Sequence, residues 1–336
     1  MSARLSALLG ALTLSLLAAC GGGSSSGHAQ KSASPPPPPK RCPLTGQLPT
    51  DKQDVDRPAL AMKIDNIDLG RPQAGIDRAD LVIEETVEGG LTRLFTVFQC
   101  DKASSVGPVR SARTTDGALL RLFDGAIFGY SGANPKAIKP VARISHAVLL
   151  SYDANPTLYH RDNSRPAPHN VFTSTDTLVK AGLDKDDSLD APPAVFTYGA
   201  LTAGANAAHT ISLRWSPDAS AVWTWSRRGW LRSQNGTPDV LANHRRVTTP
   251  NVVAMQITTK DTGIRDVVGN ASPDDVVVGS GKVSVFRDGK VITGTWKRPD
   301  LDSPIALTDA QGRPIALAAG STWVELLPPN ATMVVR

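Results

Sequence analysis

Beyond its first twenty residues the chain has no apolar run approaching the roughly 20 residues that a membrane-spanning helix needs, so a protein threaded through a bilayer by several helices is excluded. A strong charge of one sign is missing too. The 36 Lys+Arg against 31 Asp+Glu leave a formal net charge of +5. That excess is too slight for a nucleic-acid binder but compatible with anionic envelope polymers or lipid headgroups. The short catalytic signatures are also lacking beyond the Gly/Ser stretch at residues 21–27: no G-x-S-x-G elbow, no H-E-x-x-H, no P-loop, and no G-x-G-x-x-G in a βαβ setting. No internal repeat recurs. Tryptophan is absent from the first 210 residues, and all six lie beyond them, against seven Phe in the whole chain. That asymmetry points to two different halves.

Cysteine is scarce, with only Cys20, Cys42 and Cys100. The first of these ends what reads as a secretory signal. Arg4 supplies the positive start, residues 5–17 are an apolar stretch too short to span a membrane, and Leu17-Ala18-Ala19-Cys20 reads as a lipobox. The expectation is cleavage of residues 1–19 and lipidation of Cys20 on the extracytoplasmic face of a membrane. Residues 20–48 read as a tether, with a flexible Gly21-Gly22-Gly23-Ser24-Ser25-Ser26 stretch and a stiffer Pro35–Pro39 run. Two cysteines then remain in an oxidising compartment. A Cys42–Cys100 disulfide is expected, worth typically about 2–4 kcal/mol, the alternative being two unrelated buried thiols.

From residue 49 to 190 short apolar strands alternate with helix-like stretches, which predicts an α/β or α+β domain. Leu60–Ile64 and Ala126–Tyr130 read as strands, and residues 81–87 and 91–98 as a hairpin turning at Gly89-Gly90. Thr114 or Thr115 caps a predicted helix containing Leu119, Leu120, Leu122 and Phe123. The acidic, proline-containing stretch 184–193 marks a boundary. Residues 191–336 then read as a mainly β domain, with strands expected at 209–215, 221–227, 252–257, 276–278, 283–286 and 291–296. Asp288-Gly289 is a hairpin turn. Trp223 and Trp225 share a strand face by period two, which suits core packing or a sugar-stacking platform.

The candidate site grows from the hairpin. With a two-residue turn, Thr86 lies opposite Arg93 and Glu84 opposite Phe95, so Glu84, Thr86, Glu88 and Arg93 share one face near the turn. A bland reading is a cross-strand Glu88–Arg93 ion pair. Next come Arg110, Ser111 and Arg113, directly before the helix expected at Thr114. Forked guanidinium donors, a hydroxyl and a helix start together suit phosphate or carboxylate. Internal pairing of these arginines with Glu84, Glu88 or Asp80 is the alternative. On the polar loop 161–170, His169 is a candidate general base or a hydrogen-bonded structural histidine. Glu84, Glu88 and His169 are thus the candidate catalytic residues, and Arg93, Arg110, Ser111 and Arg113 the candidate anion-binding set. No cofactor is expected, apart from a divalent cation as a weaker option on Asp65, Asp77 and Asp80.

These stretches, in order, resemble the YerB-like lipoprotein family, a domain of unknown function. The matching text is Met62-Lys63-Ile64-Asp65-Asn66, Arg71-Pro72-Gln73-Ala74-Gly75-Ile76, Ala79-Asp80-Leu81-Val82-Ile83-Glu84 and Glu88-Gly89-Gly90-Leu91-Thr92-Arg93. It continues with Gly107-Pro108-Val109-Arg110-Ser111-Ala112-Arg113, Ala167-Pro168-His169-Asn170, Gly294-Thr295-Trp296-Lys297-Arg298 and Gly320-Ser321-Thr322-Trp323. The resemblance implies two successive domains and an envelope location, and transfers no catalytic residue. The order of an Asp, a hairpin and an arginine loop entering a helix is also similar to the LytR–CpsA–Psr phosphotransferases, in arrangement only. Two functions are therefore expected. One is a lipid-anchored envelope module that binds an anionic glycan, a lipid phosphate or another envelope protein, and no nucleic acid. The other is an envelope enzyme acting on a phosphate or glycan linkage. Convergence of the candidate residues in one pocket separates them.

Overall fold

Consecutive apolar residues, rather than alternating ones, build the central strands, because these strands are covered on both faces. The computed structural model describes residues 39–201 and 203–336. The expected signal peptide, Cys20 and the tether as far as residue 38 lie outside the described residues.

The first part supplies β1 (Leu60–Asp65), β2 (Leu81–Thr86), β3 (Thr92–Phe98), β4 (Ile127–Tyr130) and β5 (Val148–Ser151). Its helices are α1 (Thr115–Leu120), α2 (Pro135–Ile144) and α3 (Thr175–Leu183). The second part is mainly β, as its text predicts: β6 (Thr210–Ser216), β7 (Ala219–Ser226), β8 (Gly229–Gln234), β9 (Asn251–Gln256), β10 (Thr258–Arg265) and β11 (Ala271–Val276). It continues with β12 (Gly279–Arg287), β13 (Lys290–Arg298), β14 (Ala306–Asp309), β15 (Thr322–Leu327) and β16 (Thr332–Val335).

The two sequence halves share one mixed sheet of eleven strands. Its main path runs β14-β13-β12-β9-β15-β2-β3-β1-β4-β5. The junction is β15 against β2, parallel, with Val324 opposite Ile83 and Glu325 opposite Glu84. One face packs Phe95, Ile83, Met255 and Val324 against Leu119, Leu120 and Phe123. The other packs Met62, Leu94, Ala254 and Trp323 against Ile211, Trp223 and Trp230 of a second sheet, built on β8-β7-β6-β16. Trp223 is fully buried in that interface, so it is core and not a sugar platform.

Two expectations are corrected here. The tether does not extend to residue 48, because Cys42, Leu44 and Thr45 are buried in the folded part. The hairpin loop has three residues, Glu88–Gly90, with both glycines at positive φ (70° and 71°), and Val87 N donates to Leu91 O. The register moves by one: Glu85, not Thr86, lies opposite Arg93, and Glu84 lies opposite Leu94. A slip of one residue sends every side chain to the other face.

Candidate functional site

The register places Arg93, Glu85 and Lys63 on the α1 side of the sheet, since Arg93 pairs with Glu85 across β2 and with Asp65 across β1. The loop 107–113 crosses the same end, held by hydrogen bonds from Arg110 N to Lys63 O and from Asp65 N to Pro108 O. Arg93, Arg110 and Arg113 thereby come together. Burial and the charges of Arg113 and Arg110 push the Arg93 guanidinium down to about 9. Burial lowers Arg110 as well, with Asp65 opposing and Arg113 adding to the fall.

The three cations are neutralised unequally. Arg113 donates Nε and one terminal nitrogen to Glu88 Oε2 at 2.9 and 2.6 Å. Burial raises the Glu88 carboxyl, but Arg113 outweighs it and leaves Glu88 below its usual range. Arg110 Nε lies 3.2 Å from Asp65 Oδ2, and its terminal nitrogen donates to Pro168 O at 3.3 Å. Arg93 makes one hydrogen bond, to Ser111 O at 3.2 Å, and no ion pair within 4 Å among the described residues. Ser111 contributes this carbonyl, which also accepts from Arg113.

His169 reaches the cluster from its loop. Its Nδ1 is 2.5 Å from Asp65 Oδ2, the oxygen that Arg110 also approaches. A carboxylate there accepts, so Nδ1 carries a proton, and in the neutral imidazole the lone pair is then on Nε2. Beneath the arginines, the fully buried Lys63 donates to Glu85 and, at 2.6 Å, to Asp116 Oδ1. Burial pushes the Lys63 ammonium down to about 8 against the pull of Asp116.

Several sequence expectations change. Glu84 belongs to the opposite face, where Asn66, Thr92 and Arg232 hold it. Asn66, Thr92 and Gln234 there also line a cleft of about 550 Å³. At the helix start α1 has only six residues, and a carboxylate is already there, since Asp116 Oδ2 accepts from Arg113 N at 2.6 Å. Asp65, Asp77 and Asp80 do not converge. Asp65 holds His169, Asp77 faces Arg245 at 3.3 Å, and Asp80 accepts from the Gln99 and Cys100 amides. Among the described residues no group of three or more His, Cys, Asp or Glu could hold a metal ion.

The second part completes the site with a two-stranded ribbon, β10 and β11. Asp275 accepts from Thr86 N and Oγ1 at 2.8 and 2.7 Å, and Thr115 Oγ1 accepts from Asp275 N at 2.9 Å. Asp275 is not singled out by the sequence, since the ribbon's charged, alternating text reads as surface.

Burial pushes Asp275 up to about 6 and Asp80 up to about 7, in both cases against hydrogen bonds that lower them. Carboxyls raised in the folded state stabilise it fully below their unfolded value of about 3.9, and that contribution is lost as pH rises through the folded value. The melting temperature is therefore expected to fall by several degrees between pH 5 and 8. Asp80→Asn, which keeps an acceptor for both amides, should flatten part of that slope in a calorimetric pH series.

Two family models match the chain in succession: the protein of unknown function (DUF3048) N-terminal domain over residues 44–188, and its C-terminal domain over residues 211–324. A curated relative named "Putative lipoprotein YerB", from Bacillus subtilis (strain 168), is 30% identical over 301 residues, 86% of each chain. The crystal structure of YerB protein from Bacillus subtilis superposes with a TM-score of 0.76 at 26% identity, covering 88% of this chain and 99% of that one. With both models matched in order and a relative alike across most of both lengths, this chain belongs to the DUF3048 family of YerB-like proteins of unknown function.

Proposed function

We propose that this chain is lipid-anchored on the extracytoplasmic face of the cell membrane and binds a phosphate-bearing ligand, lipid or glycan, through Arg93, Arg110 and Arg113. The lipobox at Cys20 and the name of the Bacillus relative, a lipoprotein, support the anchor. The observation that carries the ligand is Arg93. Its guanidinium is half-buried beside two like charges, has no carboxylate partner within ion-pair distance among the described residues, and is held at about 9. A cation so placed is costly until an anion arrives.

That cost makes the test sharp. Arg93→Gln is expected to leave the ligand-free melting temperature unchanged or higher, because folding disfavours the charge it removes. The same change should weaken inorganic pyrophosphate binding about tenfold or more, the worth of one charged hydrogen bond. Calorimetric titration with thermal melts reads both. A wild type indifferent to pyrophosphate, together with a variant that melts lower, would make Arg93 scaffold.

A second reading, an enzyme acting on a phosphate or glycan linkage, draws on the His169–Asp65 pair. The carboxylate fixes the imidazole tautomer and leaves Nε2 able to take a proton beside an anion site. On this reading His169→Gln abolishes phosphate release from a polyprenyl diphosphate while pyrophosphate affinity stays within about twofold, a small change in free energy. Absence of release by wild type would leave the binding module alone.

A further inference from the structure

The ribbon that closes the arginine site ends in an unusual tip. Val267 and Val268 are consecutive and exposed at 103% and 78% of their full surface. They do not hang on a loose loop. Asp266 Oδ1 accepts from Val268 N at 3.0 Å and from Asn270 N at 2.8 Å, and Oδ2 accepts from Asn270 Nδ2 at 3.0 Å. Asp266 N donates to Asn270 O, and Gly269 N to Asp266 O. The turn thus satisfies the amides of Val268, Gly269 and Asn270 internally and presents two branched apolar side chains outward. A single exposed apolar side chain is ordinary, but two adjacent ones held out by a preformed turn are not.

The tip is also next to the site. A Cβ on Gly89 would lie 3.4 Å from Asn270 Nδ2, and the next residue along the hairpin loop, Glu88, is the partner of Arg113. The tip therefore adjoins the hairpin loop whose Glu88 holds Arg113.

We infer that Val267 and Val268 enter the headgroup layer of the phospholipid bilayer that carries the protein's own anchor, so that the arginines meet membrane-borne phosphate. This deepens the anion-binding reading and rests on it. Three observations favour a bilayer over a protein partner. Only 18 residues lie between Cys20 and Pro39, a reach of at most about 65 Å even fully extended, which keeps the folded part near the lipid. The tip's internally satisfied amides tolerate a layer poor in water, where unpaired backbone groups are expensive. The adjoining cations Arg93, Arg110 and Arg113 complement anionic headgroups.

The test uses the full lipidated chain in vesicles of phosphatidylethanolamine and phosphatidylglycerol. With Cys20 acylated and Cys42 bridged to Cys100, Val267→Cys supplies the one thiol for an environment-sensitive fluorophore. Its emission should shift to the blue and be quenched by lipids spin-labelled near the headgroup. The same label on Ala310→Cys, an exposed turn beside the edge strand β14, should do neither. The double variant Val267→Asp/Val268→Asp should bind soluble pyrophosphate as wild type does, yet bind vesicles containing a polyprenyl phosphate at least fivefold more weakly. A label at 267 that stays in water on pure lipid, as it would if the tip served a protein partner, overturns the inference whatever pyrophosphate does. Wild type that ignores pyrophosphate while the label still enters the lipid would instead remove the arginine reading.

Discussion

Arg232→Met is expected to lower the melting temperature by about 10 °C, the equivalent of roughly 3–5 kcal/mol for a buried ion network that loses one partner. Arg232 is fully buried on the face of the sheet opposite the candidate site. It donates to Glu84 Oε2 at 2.6 Å and Asp239 Oδ2 at 2.5 Å, and lies over Trp323 and Trp223 at 4.9 and 5.9 Å. Burial alone would lower its pKa, but Glu84, Asp239 and Glu325 outweigh burial and keep the guanidinium charged. Burial and the neighbouring Glu84 raise the Glu325 carboxyl well above its usual range, against the pull of Arg232. Arg71, 3.5 Å from Asp239, adds a second cation to the network. Methionine matches the apolar stem and removes the charge, leaving Glu84 buried without a cation. Glu84→Gln added to Arg232→Met should recover part of the loss, a coupling that thermal melts of the four-member cycle would measure. A single variant melting within about 2 °C of wild type, under 1 kcal/mol, would show that the network contributes little.

This network also shows why the site was only partly legible. Arg93, Arg110, Arg113, Glu88 and His169, each legible in the sequence as a candidate, lie together at one end of the sheet. The error lay in one residue of register. Gly89-Gly90 suits a two-residue turn and a three-residue loop alike, and alternation usually decides between them. Here Glu84 and Glu85 are adjacent and both buried, so either register puts an acid inside. What resolves the choice is non-local, because Glu84 needs Arg232 from 148 residues away and Glu85 needs Lys63. β15 was unread as a strand for a related reason. All six of its residues are buried, so its text, Thr-Trp-Val-Glu-Leu-Leu, carries no alternation, and the glutamate argues against a core position until Arg232 is known. The mixed α/β first part and mainly β second part were legible because they rest on local patterns of strand and turn.

Reduction of the Cys42–Cys100 bridge is expected to lower the melting temperature by about 10 °C, from a loss of roughly 4 kcal/mol. The two half-cystines are 58 positions apart, with Cα atoms at 6.0 Å. Closing a loop of that length removes much of the freedom of the unfolded chain, which is where most of a disulfide's effect arises in the chain-entropy account. The folded side explains why the chain should still fold when reduced. Cys42 packs with Val55 and Cys100, Leu44 is buried in the main core, and the Tyr198 hydroxyl donates to Leu44 O. Cys100 N and Gln99 N both donate to Asp80, which holds the end of β3 whether or not the sulfurs are joined. Native-like circular dichroism at 25 °C is therefore expected in reductant, with an earlier thermal transition. Cys100→Ser should melt at the temperature of the reduced wild type and be insensitive to reductant, which separates loss of the bridge from any general effect of the reagent. Alkylation of the native lipidated chain should label no thiol before reduction and two afterwards. Two thiols labelled without reduction, or a melting curve that reductant does not move, would mean that the bridge does not form in solution and that residues 42–47 are held by Leu44 and its neighbours alone.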